Sequence, residues 1–111
     1  MALSTLARRA AERLRLLLRE RCADRVLEMR VFGSAARGEE RPDSDLDVFV
    51  MVDERDLDID RTIVFAACDV YDELDLPFII SPLIMTRQHF DDLVRSERLI
   101  ARDILNEGIA L

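Results

Sequence analysis

Apolar residues at Leu3, Leu6, Ala7, Ala10, Leu14, Leu17 and Leu18 recur every three or four positions, while Arg8, Arg9, Glu12, Arg15 and Arg19 take the other side. That spacing predicts an amphipathic helix, with Ser4 placed to cap its start. The period then changes. Residues 26–32 alternate apolar with polar and end on Val31 and Phe32, which predicts a strand running directly into a glycine turn at Gly33. Residues 34–41 are small and polar, as in a short helix or loop, and Pro42 stops them. Residues 45–52 read as a second strand, with Leu46, Val48, Val50 and Val52 on one face and Asp45, Asp47, Phe49 and Met51 on the other.

Helical spacing returns at Ile59, Ile63, Ala66, Ala67, Val70 and Leu74, predicting a helix over 58–74 with Asp58 or Asp60 as its cap and Pro77 as its end. Residues 78–85 form an almost unbroken apolar run, as expected of a strand buried on both faces, and Pro82 within it points to an edge or a bulge. Thr86 is placed to cap a final helical segment carrying Phe90, Leu93, Val94, Leu99, Ile100, Ile104 and Leu105, closed by Gly108. Helices and strands therefore alternate, without repeats or low-complexity linkers, in the order of an α/β layered domain.

Composition narrows the picture. A chain of 111 residues suffices for one domain with a real core, expected to span residues 1–111. Half of its residues are hydrophobic and 35% are charged, the balance of a globular rather than a disordered chain. The formal net charge of -7 disfavours general nucleic-acid binding. It does not disfavour nucleotide handling, because clustered carboxylates can be neutralised by a divalent ion that itself attracts phosphate.

All 16 basic residues are arginine. Lysine Schiff-base chemistry and a P-loop lysine are thereby excluded, so any phosphate clamp must use Arg, backbone amides or metal. Cys22 and Cys68 form no C-x-x-C pair and sit among apolar neighbours, so both are expected to be buried free thiols in a reducing cytoplasm. The arginine-rich start, residues 1–25, faintly mimics a transit peptide, but Glu12, Glu20 and Asp24 interrupt it and it reads as part of the fold. With no apolar run of membrane length and no secretory pattern, a cytoplasmic location and no membrane association are expected.

Asp45 and Asp47, one residue apart on a strand, project from the same face and can present oxygen ligands to one hard cation. Taken alone, such a pair is equally a strand entrance with solvated carboxylates. Gly33-Ser34 directly after a strand is ambiguous in the same way. Its glycine would let a phosphate approach the backbone, with amides and the Ser34 hydroxyl as donors. Arg37 would add a charge-assisted contact to the same phosphates, or else be an ordinary surface arginine. His89 reads as a surface residue and Tyr71 as packing.

The two halves occur together: Gly33-Ser34-Ala35-Ala36-Arg37-Gly38, a polar loop, then Ser44-Asp45-Leu46-Asp47 running into Val48-Phe49-Val50. This conjunction resembles the G-S-x-A-R-G … S-D-x-D signature of the DNA polymerase beta-like nucleotidyltransferase superfamily in its minimal single-domain form. It is far more specific than either half, and a looser likeness extends over nearly the whole chain. The resemblance implies a small mixed β-sheet with helices packed against it. It implies that Asp45 and Asp47 ligate Mg²⁺, and that Gly33, Ser34, Arg37 and Ser44 bind a nucleoside triphosphate, with ATP the expected substrate. The reaction implied is attack by an acceptor hydroxyl on the α-phosphate with loss of pyrophosphate. Minimal members often act with a small helical partner of the HEPN type in an antitoxin role.

One position departs from the family pattern. Active members commonly carry a third carboxylate on the next core strand, and here Ser81 aligns with it. Serine supplies neither an anionic ligand nor a strong base at neutral pH. Asp69, Asp72 and Asp75 are the nearby carboxylates that would have to replace it. Two readings therefore stay open: a transferase, and a degenerate nucleotide-binding or partner-binding module of the same fold. Exposed apolar positions on the first and last helices offer a further route to a helical partner or a homo-oligomer.

Overall fold

A computed structural model describes residues 3–38, 45–96 and 98–111. Helix α1 spans Thr5–Cys22 and starts where the Ser4 hydroxyl accepts a hydrogen bond from the Ala7 amide at 3.1 Å. A 3-10 turn, Ala23–Arg25, leads into β1, Val26–Phe32, and then the five-residue helix α2, Gly33–Arg37. Strand β2 is Leu46–Val52, helix α3 Leu57–Glu73, strand β3 Ile80–Thr86, helix α4 Arg87–Arg95, helix α5 Leu99–Glu107 and strand β4 Ile109–Ala110.

The four strands form one sheet in the order β3-β2-β1-β4. Strands β1 and β2 are antiparallel, as are β1 and β4, whereas β3 joins β2 in parallel after the α3 crossover. The sheet is thus mixed, with helices on both faces. Central β2 is buried over all its positions except Asp47, because both of its faces are covered. On one side Leu46, Val48, Val50 and Val52 join Val31, Ile80 and Ile84 beneath apolar residues of α1 and α3. On the other, Phe49 and Met51 pack with Phe32 and Met85 against Phe90 of α4 and Ala101 and Ile104 of α5.

Several local expectations change. Asp56, not Asp58 or Asp60, caps α3: its carboxylate accepts from the Ile59 amide at 2.8 Å and is held by Arg25 at 2.9 Å. The same helix ends before Pro77, where Asp75 adopts φ 49 and the Leu76 amide reaches back to the Tyr71 carbonyl. The expected single final helix is two. Its chain turns after Arg95, with the Ser96 and Arg98 amides bonded to the Asp92 and Leu93 carbonyls. Phe90 of α4 and Ile104 of α5, on either side of the break, lie in one apolar cluster.

Strand β3 lies at the sheet edge, where Pro82 costs no ladder hydrogen bond to a further strand. It is not buried on both faces, since Ser81 is exposed. Cys22 is buried as expected, but Cys68 is exposed, and so is Tyr71, because both lie on the outward side of α3. No helix among the described residues is long and apolar enough to cross a membrane.

Candidate functional site

The site forms where β1 runs out beside the start of β2. Phe32, the last residue of β1, is the register partner of Asp47, so the turn that follows β1 passes directly by the Asp47 side chain. Gly33 makes that turn at φ 74, a left-handed conformation that side-chain-bearing residues rarely adopt. A Cβ on Gly33 would also stand 2.5 Å from Asp47 Oδ2. Glycine is therefore required both for the turn and for the space taken by the carboxylate.

Helix α2 is fixed by its buried Ala35 and Ala36 and closed by Gly38 at φ 72, whose amide donates to the Ala35 carbonyl at 3.1 Å. Ser34 and Arg37 remain half-buried on it. Arg37 ties the turn to α5 through Glu107 at 2.8 Å. Its positive charge also acts on Asp47.

Asp45 is exposed just ahead of β2, and Asp47 is half-buried on the strand's first turn of pleat. Loss of solvent raises the Asp47 carboxyl above the ordinary aspartate range, the negative charge of Asp45 raises it further, and Arg37 opposes the rise. Two carboxylates on one side of a strand, one of them desolvated, make an electrostatic imbalance that a hard divalent cation would relieve. The donor set fits such an ion: charged oxygens from Asp45 and Asp47, close to a turn of backbone amides.

The parallel register sets Ser81 of β3 directly beside Asp47. Residues paired in register share a face of the sheet, so Ser81 lies on the Asp47 face with its side chain exposed. The nearby acids do not replace a carboxylate there. Asp69 is paired with Arg21 at 2.8 Å in the layer formed by α1 and α3, on the sheet face opposite Asp47. Asp72 is exposed on the same helix, and Asp75 follows its end. Among the described residues no third His, Cys, Asp or Glu converges with Asp45 and Asp47.

Of the residues singled out in the sequence, Gly33, Ser34, Arg37, Asp45 and Asp47 thus come together, with Ser81 alongside. Ser44 lies outside the described residues. His89 is exposed, its amide bonded to the Thr86 hydroxyl at 3.1 Å at the start of α4. Glu107, which anchors Arg37, was not anticipated: it lies 70 residues further along the chain, and no local pattern marks such a pairing.

Residues 12–111 match the family model described as a nucleotidyltransferase domain. No curated protein matches the chain. A crystal structure described as that of "a putative nucleotidyltransferase from Sulfolobus solfataricus" aligns with 99% of this chain and 89% of its own, at 17% identity and a TM-score of 0.47. The family match takes in both β-strands of the site, its glycine turn and the Asp45-Leu46-Asp47 segment, and the chain belongs to the nucleotidyltransferase domain family.

Proposed function

We propose that this domain binds a nucleoside triphosphate, ATP in the first instance, together with Mg²⁺, and transfers its nucleotidyl group to an acceptor hydroxyl. The observation that carries this reading is the contact between the Asp47 carboxylate and the Gly33 turn, with Asp45 on the same side of the strand. Asp45 and Asp47 would hold the cation. The turn amides and the Ser34 hydroxyl would donate to phosphate oxygens, and Arg37, oriented by Glu107, would contribute charge to the same phosphates. Ser44, just ahead of Asp45, belongs to the same set by its place in the signature. When bound, the cation neutralises charge on the reacting and leaving oxygens.

In the transfer, the acceptor oxygen bonds to the α-phosphorus as the bond to the pyrophosphate oxygen breaks, and the hydroxyl proton is released. The acceptor in this reading is a small helical protein of the HEPN type, in a cytoplasmic toxin-antitoxin pair. Incubation with α-labelled nucleoside triphosphate, Mg²⁺ and such a partner tests this. Label should pass to the partner, and Asp45→Asn with Asp47→Asn should abolish the transfer.

Ser81 favours a second reading, a module that binds nucleotide or partner without turnover. That reading expects Mg²⁺-dependent nucleotide binding with no labelled product, and partner binding that survives the double Asn substitution. Failure to bind nucleotide at all, with or without Mg²⁺, would remove the transferase reading.

A further inference from the structure

Helix α3 turns Ile59, Ile63, Ala66, Ala67 and Val70 into the core, yet its outward side is not polar. Leu57, 63% exposed, and Phe65, 60% exposed, lie there with Val64, Cys68 and Tyr71. Positions 57, 64, 68 and 71 follow the three-to-four spacing of a helix face, so these side chains form a second apolar stripe running the length of α3. An amphipathic surface helix has one such stripe, and it faces the core.

Three of the acids beside the stripe are paired within the chain. Asp69 pairs with Arg21 at 2.8 Å, Glu73 with Arg13 at 2.9 Å and Asp60 with Arg55 at 3.1 Å. Within the stripe itself stand Arg61 and Asp72, both exposed. They point the same way, three helical turns and about 16 Å apart, too far to reach one another.

We propose that a second copy of this chain covers the stripe, by antiparallel packing of α3 on α3 about a two-fold axis. A two-fold contact demands a self-complementary surface, in which residue i meets j and j meets i. Setting Phe65 against Cys68 of the other copy also sets Arg61 against Asp72 of the other copy, because both pairs share a midpoint between residues 66 and 67. Arg61 and Asp72 lie about 8 Å to either side of that midpoint, so a tilt between the helices leaves both pairs in reach. An apolar centre is thereby flanked by two equivalent ion pairs. The charge of -7 on each copy opposes association in general, and the two ion pairs select this orientation against that repulsion. One helix pair is a small interface, so the association is reversible and concentration-dependent. It is independent of the proposed activity, since α3 covers the sheet face opposite Asp47.

Sedimentation velocity on the full chain, from about 10 µM to 1 mM, tests the pairing. The native chain is expected to pass from monomer to dimer across that range. Phe65→Glu, Arg61→Asp and Asp72→Arg should each weaken the dimer by about tenfold or more, because each brings charge into the apolar centre or sets like charges opposite one another. An equimolar mixture of the Arg61→Asp and Asp72→Arg chains should recover dimer, since each then supplies the charge the other lacks. The recovery also serves as a control for folding. A native chain that stays monomeric, a dimer indifferent to the charge changes, or a mixture that stays monomeric overturns the proposal.

Discussion

The carboxylate of Asp47 rests against Gly33, so closely that a Cβ at residue 33 would stand 2.5 Å from Oδ2. This one contact joins the two halves of the signature, which are 14 positions apart in sequence and adjacent across the β1-β2 ladder. Gly33→Ala should therefore act twice. Its φ of 74 imposes about 1–2 kcal/mol of backbone strain on any other residue, and its methyl group displaces the Asp47 carboxylate. Urea unfolding should show the loss of stability. Calorimetric titration with Mg²⁺ should show cation binding falling further than stability alone explains.

Asp47 also sets a pH dependence. Desolvation first, and Asp45 second, raise its carboxyl above the ordinary range, so the folded protein binds that proton more tightly than the unfolded chain does. Its charge therefore opposes folding at neutral pH. The opposition is relieved as pH falls through the raised folded value and is fully gone below the ordinary aspartate value. Asp47→Asn is expected to stabilise the cation-free protein at pH 7, with the difference from the native chain closing as pH falls through that window. Arg37→Ala should widen the gap, because it removes the charge that holds Asp47 down. Denaturant midpoints at several pH values measure both. An Asn variant less stable than the native chain at pH 7 would contradict the electrostatic account.

The readability of this chain differed with the range of the forces involved. Strands β1 and β2 and the cap at Ser4 were visible because local periodicity and capping chemistry decide them. The convergence of the glycine turn and the two aspartates was visible for a related reason, since each lies at the end of such a strand. The break between α4 and α5 was not, because the apolar period continues across it. What divides the helix is the turn in which the Ser96 and Arg98 amides reach back to the Asp92 and Leu93 carbonyls, and no local pattern marks it. Strand β4 is too short to have a period and exists through its pairing with Arg30 and Val31. The Arg37–Glu107 tie and the outward exposure of Cys68 and Tyr71 likewise depend on tertiary placement.

The packing behind the site carries its own test. Phe49, fully buried on β2, meets the Phe90 ring of α4 with centroids 5.0 Å apart. Phe49 follows Asp47 by two residues on the same face of the strand, so this aromatic pair backs the carboxylate from the core side. Phe90→Ala should cost about 3–5 kcal/mol, from lost burial and the cavity left behind. Thermal or urea unfolding measures that loss. Phe90→Leu, which keeps most of the volume, should recover the larger part of it.

The most direct question about catalysis turns on Ser81, the register partner of Asp47 on the parallel strand. Its side chain is exposed and lies on the same face, so a carboxylate there would meet no core packing and would stand beside the two acids already present. Ser81→Asp is therefore expected to leave the fold intact while adding a third anionic ligand. In the absence of divalent cation the variant should be less stable than the native chain at neutral pH, because three like charges then share one face. Mg²⁺ should reverse that order and stabilise the variant more than the native chain, with a higher affinity in calorimetric titration. If transfer is limited by the missing acid, labelled-product formation should rise as well. If binding rises and turnover does not, the domain's native role is recognition of the nucleotide rather than its transfer. An unchanged cation affinity would mean that residue 81 does not look into the site, despite its register with Asp47.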